Sequence, residues 1–243
     1  WIKKNNIEAI YEKQKIEEKD LKDLVVKVKE RKINGVNITV PFKNKIIPHL
    51  DKLSKEAQET QSVNTICLHE NEVIGHNTDV EGFELSIKEA QFNIANKKIL
   101  ILGAGGVVPS LIFTLFKMRV AKITLCNRSR KNAEILKKLF NDLMIVDWGT
   151  IVDFDMIINA TSVGLKRNDI INLDFSEIGR DKFFYDVIYN PKETDFLRKG
   201  KESKNKTQNG EKMFIYQALA SFKIWHGVEP TVDDKVLEIF NND

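Results

Sequence analysis

The residues best equipped for chemistry begin with Gly103-Ala104-Gly105-Gly106, placed directly after the apolar run Lys98 to Leu102 and directly before an apolar stretch from Val107 to Met118. Glycines at a strand-to-helix turn let backbone amides approach a pyrophosphate, and a helix start adds unpaired N–H groups and a partial positive charge. The pattern points to a bound dinucleotide; an ordinary turn that happens to need glycine is the competing reading. The third position of the fingerprint, normally Gly or Ala, is Val108, and Pro109 follows. Proline is tolerated there because the first helical turn has no N–H bond to lose, and a helix set slightly off the usual line is expected.

The next strand decides which dinucleotide. A site for NAD places an acid at its end, about 20 residues on, to hold the ribose 2′-hydroxyl. Here Ile123 to Cys126 runs instead into Asn127-Arg128-Ser129-Arg130-Lys131, without a carboxylate. A guanidinium can pair with a 2′-phosphate in bidentate fashion and stack on the adenine, so NADP is favoured over a merely solvated basic helix start.

Two earlier segments carry proton-transfer groups. Asn37-Ile-Thr39-Val-Pro41-Phe-Lys43 ends a strand in polar residues and a lysine, and Gly75-His-Asn77-Thr78-Asp79 ends another in a cluster that opens a helix. Alone, Lys43 is one of 38 basic residues, and Asp79 could be an N-cap.

These groups need elements to position them. After Asp79, a helix from Glu81 to Ala90 leads to strand Lys98–Leu102, helix Val107–Met118, strand Lys122–Cys126 and helix Arg130–Phe140. Asp155 to Ile158 and Phe183 to Val187 read as further strands. Such alternation implies an α/β fold with a parallel sheet and right-handed crossovers. Before Asp79, Ile7, Ala9 and Tyr11 alternate as in a half-buried strand. A helix is expected from Asp20 to Arg31, a strand over Val36 to Val40, a polar helix over Ser54 to Gln61, and a hairpin of Val63–Leu68 with Glu72–Ile74 around Glu70-Asn71. Lys199 to Lys212 reads as a solvated loop or helix end. Helical character returns at Met213 to Trp225, and a last helix is expected from Thr231 to Phe240, with Thr231 and Asp234 spaced as a capping box.

Composition excludes several classes. A net charge of +3 from 38 basic and 35 acidic residues is weak support for nucleic acid, which needs basic residues clustered on one face. Cys67 and Cys126 lie far apart without a CxxC, and His49, His69, His76 and His226 lack ligand spacing, so neither a disulfide framework nor a metal site is indicated. A reducing cytoplasm fits best, and no apolar run approaches the roughly 18 residues of a membrane span.

Read together, the segments resemble the shikimate dehydrogenase family along nearly the whole chain. Eight blocks occur in order: Gly35-Val-Asn-Ile-Thr-Val-Pro-Phe-Lys43, Ser62-Val-Asn-Thr65, Gly75-His-Asn-Thr-Asp79, Gly103-Ala-Gly-Gly106, Asn127-Arg-Ser129, Asn159-Ala-Thr-Ser-Val-Gly164, Tyr185-Asp-Val-Ile-Tyr-Asn-Pro191, and Gly210-Glu-Lys-Met213 with Gln217-Ala218. The resemblance implies two lobes: a smaller α/β substrate domain over 1–78, completed by 211–243, and a Rossmann-like NADP-binding domain over 79–210, with the active site in the cleft between them. It implies reversible NADPH-dependent reduction of 3-dehydroshikimate to shikimate, on the route to chorismate and the aromatic amino acids, by a monomer or homodimer that binds neither nucleic acid nor membrane. Lys43 and Asp79 then form the catalytic pair. Thr39, Asn64, Gln217 and Tyr189 take the substrate. Gly103 to Gly106, Asn127, Arg128, Ser129, Lys131, Ala160, Thr161, Ser162, Gly210 and Met213 take the cofactor.

The match has departures. A second arginine usual five residues after the Asn of Asn127-Arg-Ser is Asn132 here, leaving Arg130 or Lys131 to substitute. The family's opening strand and its Ser-x-Ser element, which grips the substrate carboxylate, do not occur from Trp1 onward. The chain is therefore expected to be a piece of a longer enzyme; truly lacking that strand, its substrate sheet would expose an edge. A dual-specificity quinate/shikimate enzyme would carry an acid after the second strand, against Arg128. A binding module that has lost catalysis is opposed by Lys43 and Asp79.

Overall fold

The computed structural model describes residues 1–166 and 168–239, and the chain divides into two units, Trp1–Thr78 with Gln217–Asp243 and Asp79–Tyr216. In the first unit Leu21, Leu24, Val25 and Val28 recur along one face of α1 (Leu21–Lys29) and are buried. Then come β1 (Gly35–Asn37), β2 (Lys52–Leu53), α2 (Lys55–Thr60), β3 (Thr65–His69) and β4 (Glu72–His76). Ser54 caps α2 by accepting the Ala57 N–H at 3.3 Å, which satisfies one of the donors a helix start leaves open. Glu70 and Asn71 both take positive φ, 48° and 67°, as a two-residue turn matched to strand twist requires. Among the described residues these strands form a four-stranded sheet in the order β1-β3-β4-β2. Ile38, Ile46, Val63, Ile66 and Val73 pack with the α1 residues into its core.

In the second unit follow α3 (Asp79–Glu89), β5 (Lys98–Leu102), α4 (Val108–Lys117), β6 (Lys122–Asn127), α5 (Arg130–Leu139), β7 (Met144–Asp147), β8 (Met156–Asn159), β9 (Phe183–Asp186), α6 (Asp195–Glu202) and β10 (Lys206–Gln208), and then α7 (Glu211–His226), which from Gln217 on belongs to the first unit. Among the described residues its six-stranded sheet runs β10-β9-β8-β5-β6-β7, parallel throughout. Side chains alternate across a strand. Accordingly Ile99 and Ile101 of β5 join a core with Phe83, Leu111 and Leu115 from α3 and α4, while Leu100 and Leu102 join another with Phe184, Phe196 and Leu197. Both faces are covered, which is why β5 reads as an unbroken apolar run from Ile99 on. Strand order reverses at β5, with β6 on one side and β8 on the other. A crevice for ligands opens beyond the carboxyl ends of strands at such a point.

Several expectations are corrected. Ile7 to Tyr11 form no strand; the Tyr11 ring lies 6.1 Å from that of Trp225, and its hydroxyl donates to Asn37 Oδ1 at 2.8 Å. Alternation marks a strand only where a neighbour supplies the ladder. The strand expected to reach Val40 stops at Asn37, because Thr39 to Phe42 turns, with the Phe42 N–H donating to the Thr39 carbonyl at 2.9 Å. Lys206 to Gln208, expected as solvated loop, is an edge strand. The last helix, α8 (Asp234–Glu238), is capped by Asp233, which accepts the Val236 N–H at 3.3 Å, in place of Thr231. Its expected end at Phe240 lies outside the described residues. Among the described residues no helix is long and apolar enough to cross a membrane.

Candidate functional site

In the first unit the polar residues gather where β1 and β3 meet α7. The Ile38 N–H donates to the Asn64 carbonyl at 2.8 Å, and the Val63 N–H donates to the Lys43 carbonyl at 2.8 Å. These bonds bring Thr39 and Lys43, which flank the Val40–Pro41 turn, beside Asn64 in the backbone ladder. Thr39 is exposed, Lys43 half-buried and Asn64 buried. Asn64 Nδ2 donates to Thr78 Oγ1 at 2.9 Å and reaches Gln217 Oε1 at 3.4 Å, while its Oδ1 accepts the Thr78 N–H at 2.8 Å. Two expected substrate ligands, 153 residues apart, are thus adjacent. Donor and acceptor amides side by side suit a polyhydroxylated ligand, because each hydroxyl can both give and accept a bond.

Beneath them lies a buried cluster that sequence reasoning missed. Asn37 Nδ2 donates to Thr65 Oγ1 and Ser221 Oγ, both at 3.1 Å, and Ser221 Oγ also lies 3.1 Å from Thr78 Oγ1. A serine inside the apolar stretch Met213 to Trp225 was the available signal. His76 Nε2 is 3.5 Å from Cys67 Sγ. Burial pushes the imidazole pKa down and the thiol pKa up, so this pair stays neutral and is not an activated nucleophile.

In the second unit the expected cofactor residues fall at the carboxyl ends of neighbouring strands. Gly103 follows β5 with φ 103°, and a Cβ there would lie 2.8 Å from the Ala160 carbonyl oxygen. Only glycine permits this approach, and it brings the turn against Ala160 and Thr161 after β8. At Gly105 a Cβ would meet only that oxygen, at 3.7 Å. Gly105 and Gly106 are exposed beside the start of α4, with Val108 and Pro109 as its first residues and Val108 buried. A pyrophosphate fits this open side of the turn, against a ten-residue helix start.

At the end of β6, Asn127 Nδ2 donates to the Ser129 carbonyl at 2.8 Å, and Ser129 Oγ caps α5 by accepting the Asn132 N–H at 3.4 Å. Arg128 and Lys131 are exposed. Arg130 is already engaged: its Nε donates to Glu134 Oε1 at 2.9 Å, and Nη1 lies 3.5 Å from Asp147 Oδ1. Of the two expected substitutes for the missing arginine, Arg130 is therefore the one committed to carboxylates of its own chain.

Ala160 is buried, Thr161 half-buried and Ser162 exposed. Thr161 is fixed by two bonds to Asn159 Oδ1, from its N–H at 3.1 Å and its hydroxyl at 2.7 Å. Gly210, after β10, donates its N–H to the Ile188 carbonyl at 3.0 Å, adjoining Tyr189. The Tyr189 ring stacks at a tilt on Phe214, 4.6 Å between centroids, so Phe214 is a further candidate wall residue. Met213 is buried in the core shared with Tyr185. Asp79 opens α3 and is buried. Among the described residues no cluster of His, Cys, Asp or Glu could hold a metal ion.

Comparison with known proteins adds to this geometry. A family model described as "Shikimate dehydrogenase substrate binding domain" matches residues 1–66, and one described as "Shikimate / quinate 5-dehydrogenase" matches residues 84–187. Over 241 residues the chain is 52% identical to a protein of Pelagibacter ubique (strain HTCC1062) named shikimate dehydrogenase (NADP(+)), covering 99% of this chain and 91% of that protein. The crystal structure of shikimate dehydrogenase from Aquifex aeolicus matches with a TM-score of 0.89 at 36% identity, covering 100% of this chain and 90% of that one. The shikimate 5-dehydrogenase of Thermus thermophilus, solved in complex with NADP(H) and shikimate, matches with a TM-score of 0.87 at 30% identity, covering 98% and 89% of the two chains.

Proposed function

We propose, from the premise that this chain belongs to the shikimate dehydrogenase family, that Lys43 and Asp79 are the acid/base pair of its reaction. That reaction is the reversible, NADP-dependent interconversion of 3-dehydroshikimate and shikimate, an oxidoreduction at a CH–OH carbon. NADPH, when bound, supplies the hydride. The protein must supply a proton to the carbonyl oxygen in step with it, and must take that proton back in the oxidative direction. A lysine can do both, donating as the ammonium and accepting as the amine, when a carboxylate shares and orients its proton, which is the role given to Asp79.

Thr39, Asn64, Gln217 and Tyr189 bind and orient the ring in this reading. The side-by-side amides of Asn64 and Gln217 make binding selective, because a ring lacking a hydroxyl leaves a donor or acceptor unpaired. Gly103 to Gly106 and the start of α4 hold the pyrophosphate. Asn127, Arg128, Ser129 and Lys131 hold the 2′-phosphate end, and Ala160 to Ser162, Gly210 and Met213 border the nicotinamide. The unit completed by the C-terminal helices is then the substrate domain, and the unit opened by Asp79 the cofactor domain. The same reading makes the protein a cytoplasmic monomer or homodimer that binds neither nucleic acid nor membrane.

The observation that carries the reading is the reversal of strand order at β5, with the glycine turn at its end and an acid-free basic run at the end of β6. The test is an assay of the protein with shikimate and with quinate, each with NADP+ and with NAD+. Shikimate with NADP+ is expected to be the best combination. Lys43→Ala is expected to lower turnover by orders of magnitude while NADP+ affinity holds; near-normal turnover would refute the proton-transfer role.

A further inference from the structure

Asp186, the last residue of β9, is a carboxylate at 0% exposure. Burying a charge is costly unless hydrogen bonds replace its water. The bonds here come from an amide, a hydroxyl and a backbone N–H. Oδ1 accepts from Asn159 Nδ2 at 3.1 Å and from the Ile188 N–H at 3.0 Å. Oδ2 accepts from Asn159 Nδ2 at 3.1 Å and from the Thr194 hydroxyl at 2.6 Å.

Each partner belongs to a different stretch of chain leaving the carboxyl edge of the sheet. Asn159 ends β8, and it passes the connection on: Nδ2 donates to the Val163 carbonyl at 3.1 Å, and Oδ1 accepts from both the N–H and the hydroxyl of Thr161. Ile188 begins the segment that carries Tyr189. Thr194 caps α6, accepting the Leu197 N–H at 3.3 Å. One carboxylate therefore fixes the loop whose Ala160 carbonyl abuts Gly103, the segment leading to Tyr189, and the start of a helix.

We infer that Asp186 is a positioning residue for the nicotinamide nucleotide, holding Ala160–Ser162 in the binding conformation through Asn159. This rests on the reading that those residues border the cofactor. Asn159 shows one amide face to Thr161 and the other to Asp186, so the acceptor at 186 dictates which way its amide is turned. An amide at 186 keeps one acceptor oxygen but turns the other position into an NH2 facing Asn159 Nδ2, and donors do not pair with donors. Asn159 would be held less firmly, and the anchor of Thr161 would loosen.

The experiment is titration of the folded protein with NADP+, followed by intrinsic fluorescence or calorimetry, alongside KM and kcat. Asp186→Asn is expected to weaken NADP+ about 10- to 100-fold, the loss of one or two hydrogen bonds to a charged group, while kcat changes only a few-fold. Exchanging the pair, Asn159→Asp with Asp186→Asn, restores a donor opposite an acceptor but gives up the bond to the Val163 carbonyl, so partial recovery of the affinity is expected; weakened NADP+ with near-normal kcat is the split that a merely structural role would not produce. Where Asp186→Asn does not fold, Asn159→Ser cuts the link to the loop while leaving the bonds to Ile188 and Thr194, and the same loss of affinity is expected. Gly105→Asp, which has room for its Cβ and sets a carboxylate in the glycine turn, tests the underlying reading. Abolished binding in Gly105→Asp with unchanged affinity in Asp186→Asn or Asn159→Ser would overturn the positioning role alone. Unchanged binding in Gly105→Asp would overturn the cofactor site itself.

Discussion

Thr65 and Ser221 are joined hydroxyl to hydroxyl at 2.7 Å, and that bond ties the second half of α7 to β3. Ser221 Oγ also donates back to the carbonyl of Gln217, one turn earlier, at 3.0 Å. The serine therefore registers the helix on the sheet at the position that presents Gln217 beside Asn64. Both hydroxyls are buried, so neither can exchange its partner for water.

Ser221→Ala removes the Thr65 bond and one bond each of Asn37 and Thr78, while Thr65 keeps Asn37 and Asn64 as partners. The expected cost is about 1 kcal/mol, the net worth of a buried hydrogen bond whose partners are otherwise satisfied. Urea unfolding should show it as a lower midpoint with an unchanged slope. With Gln217 less firmly registered, KM for shikimate should rise more than kcat falls. A midpoint equal to wild type would mean the cluster is not a fastening.

Gly210 admits no side chain. A Cβ there would lie 2.1 Å from the Val187 carbonyl oxygen and 2.6 Å from its carbon, and backbone cannot swing aside as a side chain can. Gly210→Ala should therefore push Val187 and the segment carrying Tyr189 away from α7. Overpacking of this kind costs about 3 kcal/mol at its upper end, and a lower melting temperature with raised KM values is expected. Gly149→Ala is a poor control because of its positive φ; Gly105→Ala, with nothing nearer than 3.7 Å, should leave stability near wild type.

Legibility from sequence followed burial and range. The strand β5 could be read to the residue because, past the exposed Lys98 at its start, a strand covered on both faces must be apolar, and the glycines after it announce a turn. The strand β10 could not, since Lys206, Thr207 and Gln208 pair by backbone at a sheet edge, where side chains need not be apolar. Edge pairing leaves little trace in composition. Asn64 and Gln217 could be named only through the family resemblance, as their meeting spans 153 residues. Asp186 falls within the block Tyr185 to Pro191, yet nothing in the sequence marks its role. Carboxylates are ordinarily exposed, and its partners Asn159 and Thr194 lie 27 and 8 residues away, at no local spacing.

The two arginines at the β6 end should behave differently. Arg130 is held by Glu134 and Asp147, whereas Arg128 is the residue proposed to meet the 2′-phosphate. Arg128→Ala is expected to weaken NADP+ about 10- to 100-fold, as loss of charge-assisted bonds would, with NAD+ affinity little changed. Arg130→Ala should cost less than about threefold, the scale of an exposed ion pair. Equal preference for NADP+ in wild type and Arg128→Ala would sink the clamp; a larger effect in Arg130→Ala would show that Arg130 leaves its carboxylates for the nucleotide.

Asp186 also makes a prediction about pH. Burial pushes its carboxyl up to about 6, partly opposed by the bonds from Thr194, Ile188 and Asn159. The neighbouring titratable group, Tyr185, is pushed upward by burial, away from this range, and stays neutral. An acid whose folded pKa exceeds its unfolded value takes up a proton on folding. Its contribution is thus full below about 4 and is lost as pH rises through about 6. The sign is opposite to that of a salt-bridged carboxylate. Wild type should therefore gain stability relative to Asp186→Asn as pH falls from about 6.5 to about 4.5, by about 2 kcal/mol. Other carboxylates titrate in both proteins, so the difference between the two urea midpoints isolates this group. Parallel pH profiles would mean that Asp186 is ionised throughout and that its hydrogen bonds outweigh its burial.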